Sequence, residues 1–106
     1  MTSARVVLVT APDMVTAERL AERLVDERLA ACANIIPGIV SIYRWDEQVQ
    51  RDDEILIVLK TEQARIEEVR ERVVTLHPYD VPEVVVLPIT DGHAPYLDWL
   101  TRSTTR

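Results

Sequence analysis

The side chains best able to do chemistry in this chain fall in seven consecutive positions, His77-Pro78-Tyr79-Asp80-Val81-Pro82-Glu83. An imidazole, a phenol and two carboxylates are held there between two prolines. Each proline fixes its own φ at about −65° and drives the residue before it, His77 or Val81, toward extended backbone. A stiff polar loop suits a binding site, because groups ordered in advance lose less entropy when a ligand arrives. It suits a tight structural corner as well. Imidazole and carboxylate are acceptable ligands for a borderline divalent ion such as copper(II) or zinc. His77 and Glu83 are therefore the candidate metal ligands, with Asp80 as a further carboxylate. Two ligands fall short of the roughly three or four that a zinc site takes. His93, in Asp91-Gly92-His93, sits in a separate polar loop, and no HxxxH, HExxH or CxxC spacing occurs. In the corner reading, His77 caps the C-terminus of a helix and Glu83 starts an edge strand.

Catalysis has less to stand on. Cys32 lies in Leu29-Ala30-Ala31-Cys32-Ala33, and a cysteine among small apolar residues is expected to be an inert core residue. Lys60, the only lysine, ends an apolar strand, where it either meets an anion or simply reaches solvent. Trp45 beside a turn either stacks on a ligand or packs against a neighbouring subunit. Gly38 and Gly92 are the only glycines, too few for a phosphate-cradling loop. A non-enzyme is expected, and acid–base chemistry by Glu83 and His77 is the remaining catalytic possibility.

The elements that must position these residues follow from hydrophobic period. Val6 to Val9 form a β-branched run bounded by Ala11-Pro12-Asp13, a buried strand followed by a helix N-cap. Ala17, Leu20, Ala21 and Leu24 then share one helix face. Ala31 to Trp45 is strand-like, with Pro37-Gly38 marking a bulge or bend. Asp46, Glu47 and Gln48 supply a hairpin turn. Glu54 to Thr61, apolar on both faces, is a central strand. Thr61 is expected to open a second helix carrying Ile66, Val69, Val73 and Leu76, which stops at Pro78. Val84 to Ile89 is a strand that Pro88 confines to an edge. Tyr96, Leu97, Trp99 and Leu100 suggest a last short helix. The order βαββαβ predicts an α+β, ferredoxin-like sandwich in one domain, residues 1–106, with the first and third strands central. Both main helices cover one sheet face. The other is left apolar and uncovered, which a second copy of the chain would answer.

Composition sets the outer bounds. The chain has 106 residues, 47% hydrophobic and 28% charged, with no Phe, so its modest core is aliphatic. A net charge of −6 argues against a nucleic-acid partner. No run approaches the roughly 18 apolar residues of a membrane span. One cysteine and no h-region after Arg5 lead to an expected cytoplasmic location.

Eight blocks, taken in order, resemble one family. They are Thr10-Ala11-Pro12-Asp13, Leu29-Ala30-Ala31-Cys32-Ala33, Ile36-Pro37-Gly38, Ser41-Ile42-Tyr43-Arg44-Trp45, Leu59-Lys60-Thr61, His77-Pro78-Tyr79, Pro82-Glu83 and Tyr96-Leu97-Asp98-Trp99-Leu100. They are similar to the CutA divalent-cation tolerance proteins. The resemblance implies a ferredoxin-like homotrimer whose long hairpins, here from about Ile39 to Leu59, extend sheet across subunits. It also implies a link to copper and other divalent cations without an established enzymatic activity, with His77 and Glu83 matching proposed ligands. Many bacterial members carry a cysteine where this chain has Val9, so the resemblance implies a missing soft ligand. A signalling or scaffold trimer resembling PII regulators, binding a small anion near Lys60, is the alternative.

Overall fold

Residues 2–105 are described by a computed structural model. Strand β1 (Ala4–Ala11) leads to helix α1 (Met14–Asp26), strands β2 (Cys32–Trp45) and β3 (Gln48–Glu62), helix α2 (Ile66–Leu76), strand β4 (Val85–Pro88) and helix α3 (Ala94–Ser103). The strands lie in the order β2-β3-β1-β4, every neighbouring pair antiparallel. The ferredoxin-like order is therefore present, with β1 and β3 central and β4 at an edge. No described helix is long and apolar enough to cross a membrane.

Alternation along the central strands separates two faces. Val7, Val9 and Ala11 of β1 and Ile55, Ile57 and Leu59 of β3 join Leu20 and Leu24 of α1 and Val69 and Val73 of α2 in one core. Asp13 holds α1 at its start by accepting the Thr16 N–H at 2.8 Å. That backbone hydrogen bond also holds the Asp13 carboxyl below its ordinary pKa. Arg72 clamps α2 to the end of α1 with two bonds to the Glu27 carboxylate, at 2.9 and 2.8 Å.

Two boundaries and the cover of one sheet face differ from expectation. Thr61 does not open α2; β3 stays in register with β1 as far as Glu62 opposite Ala4, and the buried Thr61 hydroxyl donates to the Leu29 carbonyl at 2.6 Å. A 3-10 turn, Gln63–Arg65, then leads into the helix. Gln48 is not in the hairpin turn but starts β3, because Asp46 and Glu47 make the turn alone at φ 53° and 63°. Such left-handed pairs suit the twist of a two-residue hairpin. Finally, the second face is not wholly uncovered. Ala4 clusters with Leu100, Glu62 accepts from the Thr101 hydroxyl, and Cys32 lies 3.8 Å from the Tyr96 oxygen. Helix α3 thus closes one end of that face and leaves the hairpin end open.

The expected irregularity at Pro37-Gly38 has a specific effect. Before it, Ile36 pairs with Leu56; after it, Ile39 pairs with Glu54, a shift of register by one. Gly38 sits at φ 80° with open space where a Cβ would go. Gly38→Ala is therefore expected to lose about 1–2 kcal/mol by backbone strain without a clash. Leu59→Ala, in the core, should lose about 2–5 kcal/mol. Equilibrium unfolding in urea measures both, and a neutral Gly38→Ala would show that the bulge tolerates a side chain.

Candidate functional site

The loop after α2 is anchored by its histidine. His77 is 7% exposed, and its backbone N–H closes the helix on the Val73 carbonyl at 2.8 Å. Its Nε2 lies 2.7 Å from the Thr10 carbonyl oxygen, which only accepts, so Nε2 carries the hydrogen. Its Nδ1 lies 3.1 Å from the Tyr79 backbone N–H, which only donates, so Nδ1 presents its lone pair there. Both ring nitrogens are used in pinning the loop to the end of β1. The Tyr79 ring packs beside the imidazole, centroids 4.6 Å apart.

Tyr79 then reaches back to the sheet, its hydroxyl donating to Glu54 Oε2 at 2.8 Å. Burial first, and then Glu54, push ionisation of this phenol well above the ordinary tyrosine range. A second phenol, Tyr43, donates to Asp52, a bond that raises its pKa too. Between the loop and the hairpin lies a cleft of about 760 Å³. Thr10, Ser41, Tyr43, Trp45 and Glu54 line it from the sheet, and Tyr79, Asp80 and Glu83 from the loop.

Of the residues singled out by sequence, Glu83, Asp80, Tyr79 and Trp45 meet at this cleft. His77 stands behind it, facing backbone on both sides. As folded, it does not fit a metal ligand, since the one lone pair of a neutral imidazole is already accepting the Tyr79 N–H. Glu83 is exposed. Among the described residues no group of three or more His, Cys, Asp or Glu side chains is close enough to hold an ion. His93 precedes α3, away from the cleft lining. Lys60 donates to the Asn34 side-chain oxygen.

Two expectations need correction. Cys32 is half-buried rather than a core residue, because it lies on outer strand β2, outside the main core. Val9 is 1% exposed within the main core, whereas its neighbour Thr10 lines the cleft. Strand alternation therefore turns a thiol at position 9 away from Glu83. Sequence reasoning missed Glu54 as a site residue. Its signal was a single acid opening an otherwise apolar strand, and only the tertiary contact with Tyr79 gives that acid a role.

The four-stranded antiparallel sheet, the helix pair on one face and the acidic cleft at the hairpin end define a ferredoxin-like α+β protein with a recessed ligand-sized site. Residues 5–103 match the family described as CutA1 divalent ion tolerance protein. The divalent-cation tolerance protein CutA of Thermus thermophilus is 52% identical over 99 residues, covering 93% of this chain and 96% of that protein. The chloroplastic protein CutA of Arabidopsis thaliana is 50% identical over 93% of this chain, which spans only 54% of that longer relative. The crystal structure of CutA from Xylella fastidiosa, 34% identical, superposes with a TM-score of 0.96 over 98% of this chain and 100% of that one. The chain belongs to the CutA1 divalent ion tolerance family.

Nitrogen-15 spectra of the imidazole should show the Nε2–H tautomer with Nδ1 as acceptor; the reverse tautomer would contradict the anchoring. His77→Ala leaves the Tyr79 N–H without that partner and should lose about 1–3 kcal/mol in denaturant unfolding.

Proposed function

We propose that this protein serves divalent-cation tolerance by binding the ion itself, copper(II) in particular, as a cytoplasmic homotrimer. The observation that carries the metal reading is the position of Glu83, an exposed carboxylate beside Asp80 at a cleft that no lysine, arginine or histidine among the described residues lines. Glu83 is the carboxylate ligand in this reading. His77, the second candidate, either positions the loop that carries Glu83 or becomes a ligand by giving up the Tyr79 N–H. With imidazole and carboxylate donors only, copper(II) is favoured over copper(I). Binding is the role, with no enzymatic turnover.

Assembly is supported by surface that one chain leaves uncovered. Ile42, Val49 and Trp45 are 68%, 66% and 57% exposed on the projecting hairpin. Strands β2 and β4 each keep an unpaired edge among the described residues, and such edges are rarely left open. The alternative, a PII-like trimer holding an anion near Lys60, has less support, because the ammonium group is already bonded to Asn34.

Sedimentation velocity at micromolar concentration should give a trimer, weakened by Trp45→Ala; a stable monomer would overturn this assembly. Calorimetric titration with copper(II) should show Glu83→Gln and His77→Ala each binding about 10–100-fold more weakly, as loss of a ligand or its support does. If both variants bind copper(II) as the wild type does, the loop is a structural corner and the metal reading fails.

A further inference from the structure

Glu54 is a carboxylate almost withdrawn from water, at 8% exposed. Among the described residues it receives one side-chain hydrogen bond, from Tyr79 to Oε2. No ion pair of the described residues includes it; those present join Arg23 and Arg72 to Glu27, Arg51 to Asp53 and Arg65 to Glu68. Burying a carboxylate is costly unless a cation or enough donors meet it, and a carboxylate has about four acceptor positions. Oε1 has no hydrogen-bond partner among the described residues, yet no side-chain oxygen of those residues is both buried and unsatisfied. Oε1 therefore keeps an opening, and the opening beside Glu54 is the cleft it lines.

The rest of that lining is chemically one-sided. Tyr43, Trp45 and Tyr79 bring aromatic surface, Asp80 and Glu83 bring negative charge, and no basic side chain among the described residues lines it. A phosphate or carboxylate ligand would be repelled there. A small hydrated metal ion would use the carboxylates and gain little from the rings. An alkylammonium or guanidinium group uses both surfaces, since it pairs with a carboxylate and is also attracted to a ring face within about 6 Å. We propose that this cleft binds a small organic cation, a polyamine or guanidinium compound, with its charged group on Glu54 Oε1 and its carbon chain against Tyr43 and Tyr79. The site centres on Glu54, so it stands whether or not Glu83 takes a metal.

Calorimetry of the intact protein with spermidine and with agmatine, at roughly 0.15 M ionic strength to suppress atmospheric attraction, tests this. Saturable binding is expected, weakened about tenfold or more by Glu54→Gln, which keeps an acceptor for Tyr79 but removes the charge. Glu83→Gln should matter less than Glu54→Gln. Absence of saturable binding, as when a side chain of a second copy fills the cleft, overturns the proposal. So does displacement by magnesium at equal ionic strength, which would mark a merely acidic surface. Should Glu54→Gln fail to fold, nuclear Overhauser effects from spermidine methylenes to the Tyr43 and Tyr79 rings of the wild type decide instead, and their absence is equally fatal.

Discussion

A β-strand shows alternate residues to opposite faces, and one interruption of that alternation organises this molecule. At Pro37-Gly38 the phase of β2 changes, so Cys32, Asn34 and Ile36 share a face with Lys60, Val58 and Leu56, and beyond it Ile39, Ser41 and Tyr43 share that same face with Glu54, Asp52 and Gln50. Without the extra residue, Tyr43 and Trp45 would point to the other side. A cleft with both a buried acid and aromatic walls needs this change of phase. Gly38, at φ 80°, is the residue that makes it at little steric cost.

The second requirement is that the loop meet the sheet in one orientation. Two prolines stiffen it, but stiffness alone leaves its direction open. The His77 ring supplies the direction, with Nε2–H on Thr10 and Nδ1 on the Tyr79 amide. Tyr79 is thereby delivered to Glu54, and Asp80 and Glu83 follow along the same wall. An imidazole bonded in this way orients the loop, although its residue type suggests a ligand. The tension between the two roles is physical: one lone pair serves either the amide or an ion.

The chain belongs to a divalent ion tolerance family, and its cleft is lined by carboxylates. The cleft also faces the part of the sheet that α3 does not reach, beside the exposed hairpin. The cleft and the uncovered apolar surface are thus neighbours. A partner covering the hairpin would deepen the cleft and lower its dielectric, which strengthens every charge interaction inside it. Assembly and binding would then be coupled through the same strands.

Short-range physics was legible in the residues alone. The Asp13 cap, the helix faces of α1 and α2, the bulge at Pro37-Gly38, the central place of β1 and β3 and the edge place of β4 depend on neighbours a few positions away or on patterns along one element. So did the stiff, polar character of the 77–83 loop. What the sequence could not disclose depends on pairs distant along the chain. His77 meets Thr10 across 67 positions and Tyr79 meets Glu54 across 25. Val9 and Thr10 are adjacent, yet strand alternation puts one in the core and the other at the cleft. Thr61 looked like a helix start until the register with β1 carried it into the sheet. Residue type and spacing determined which groups could act; only the tertiary structure decided which of their lone pairs and charges remain unspent, because hydrogen bonds between remote segments consume them.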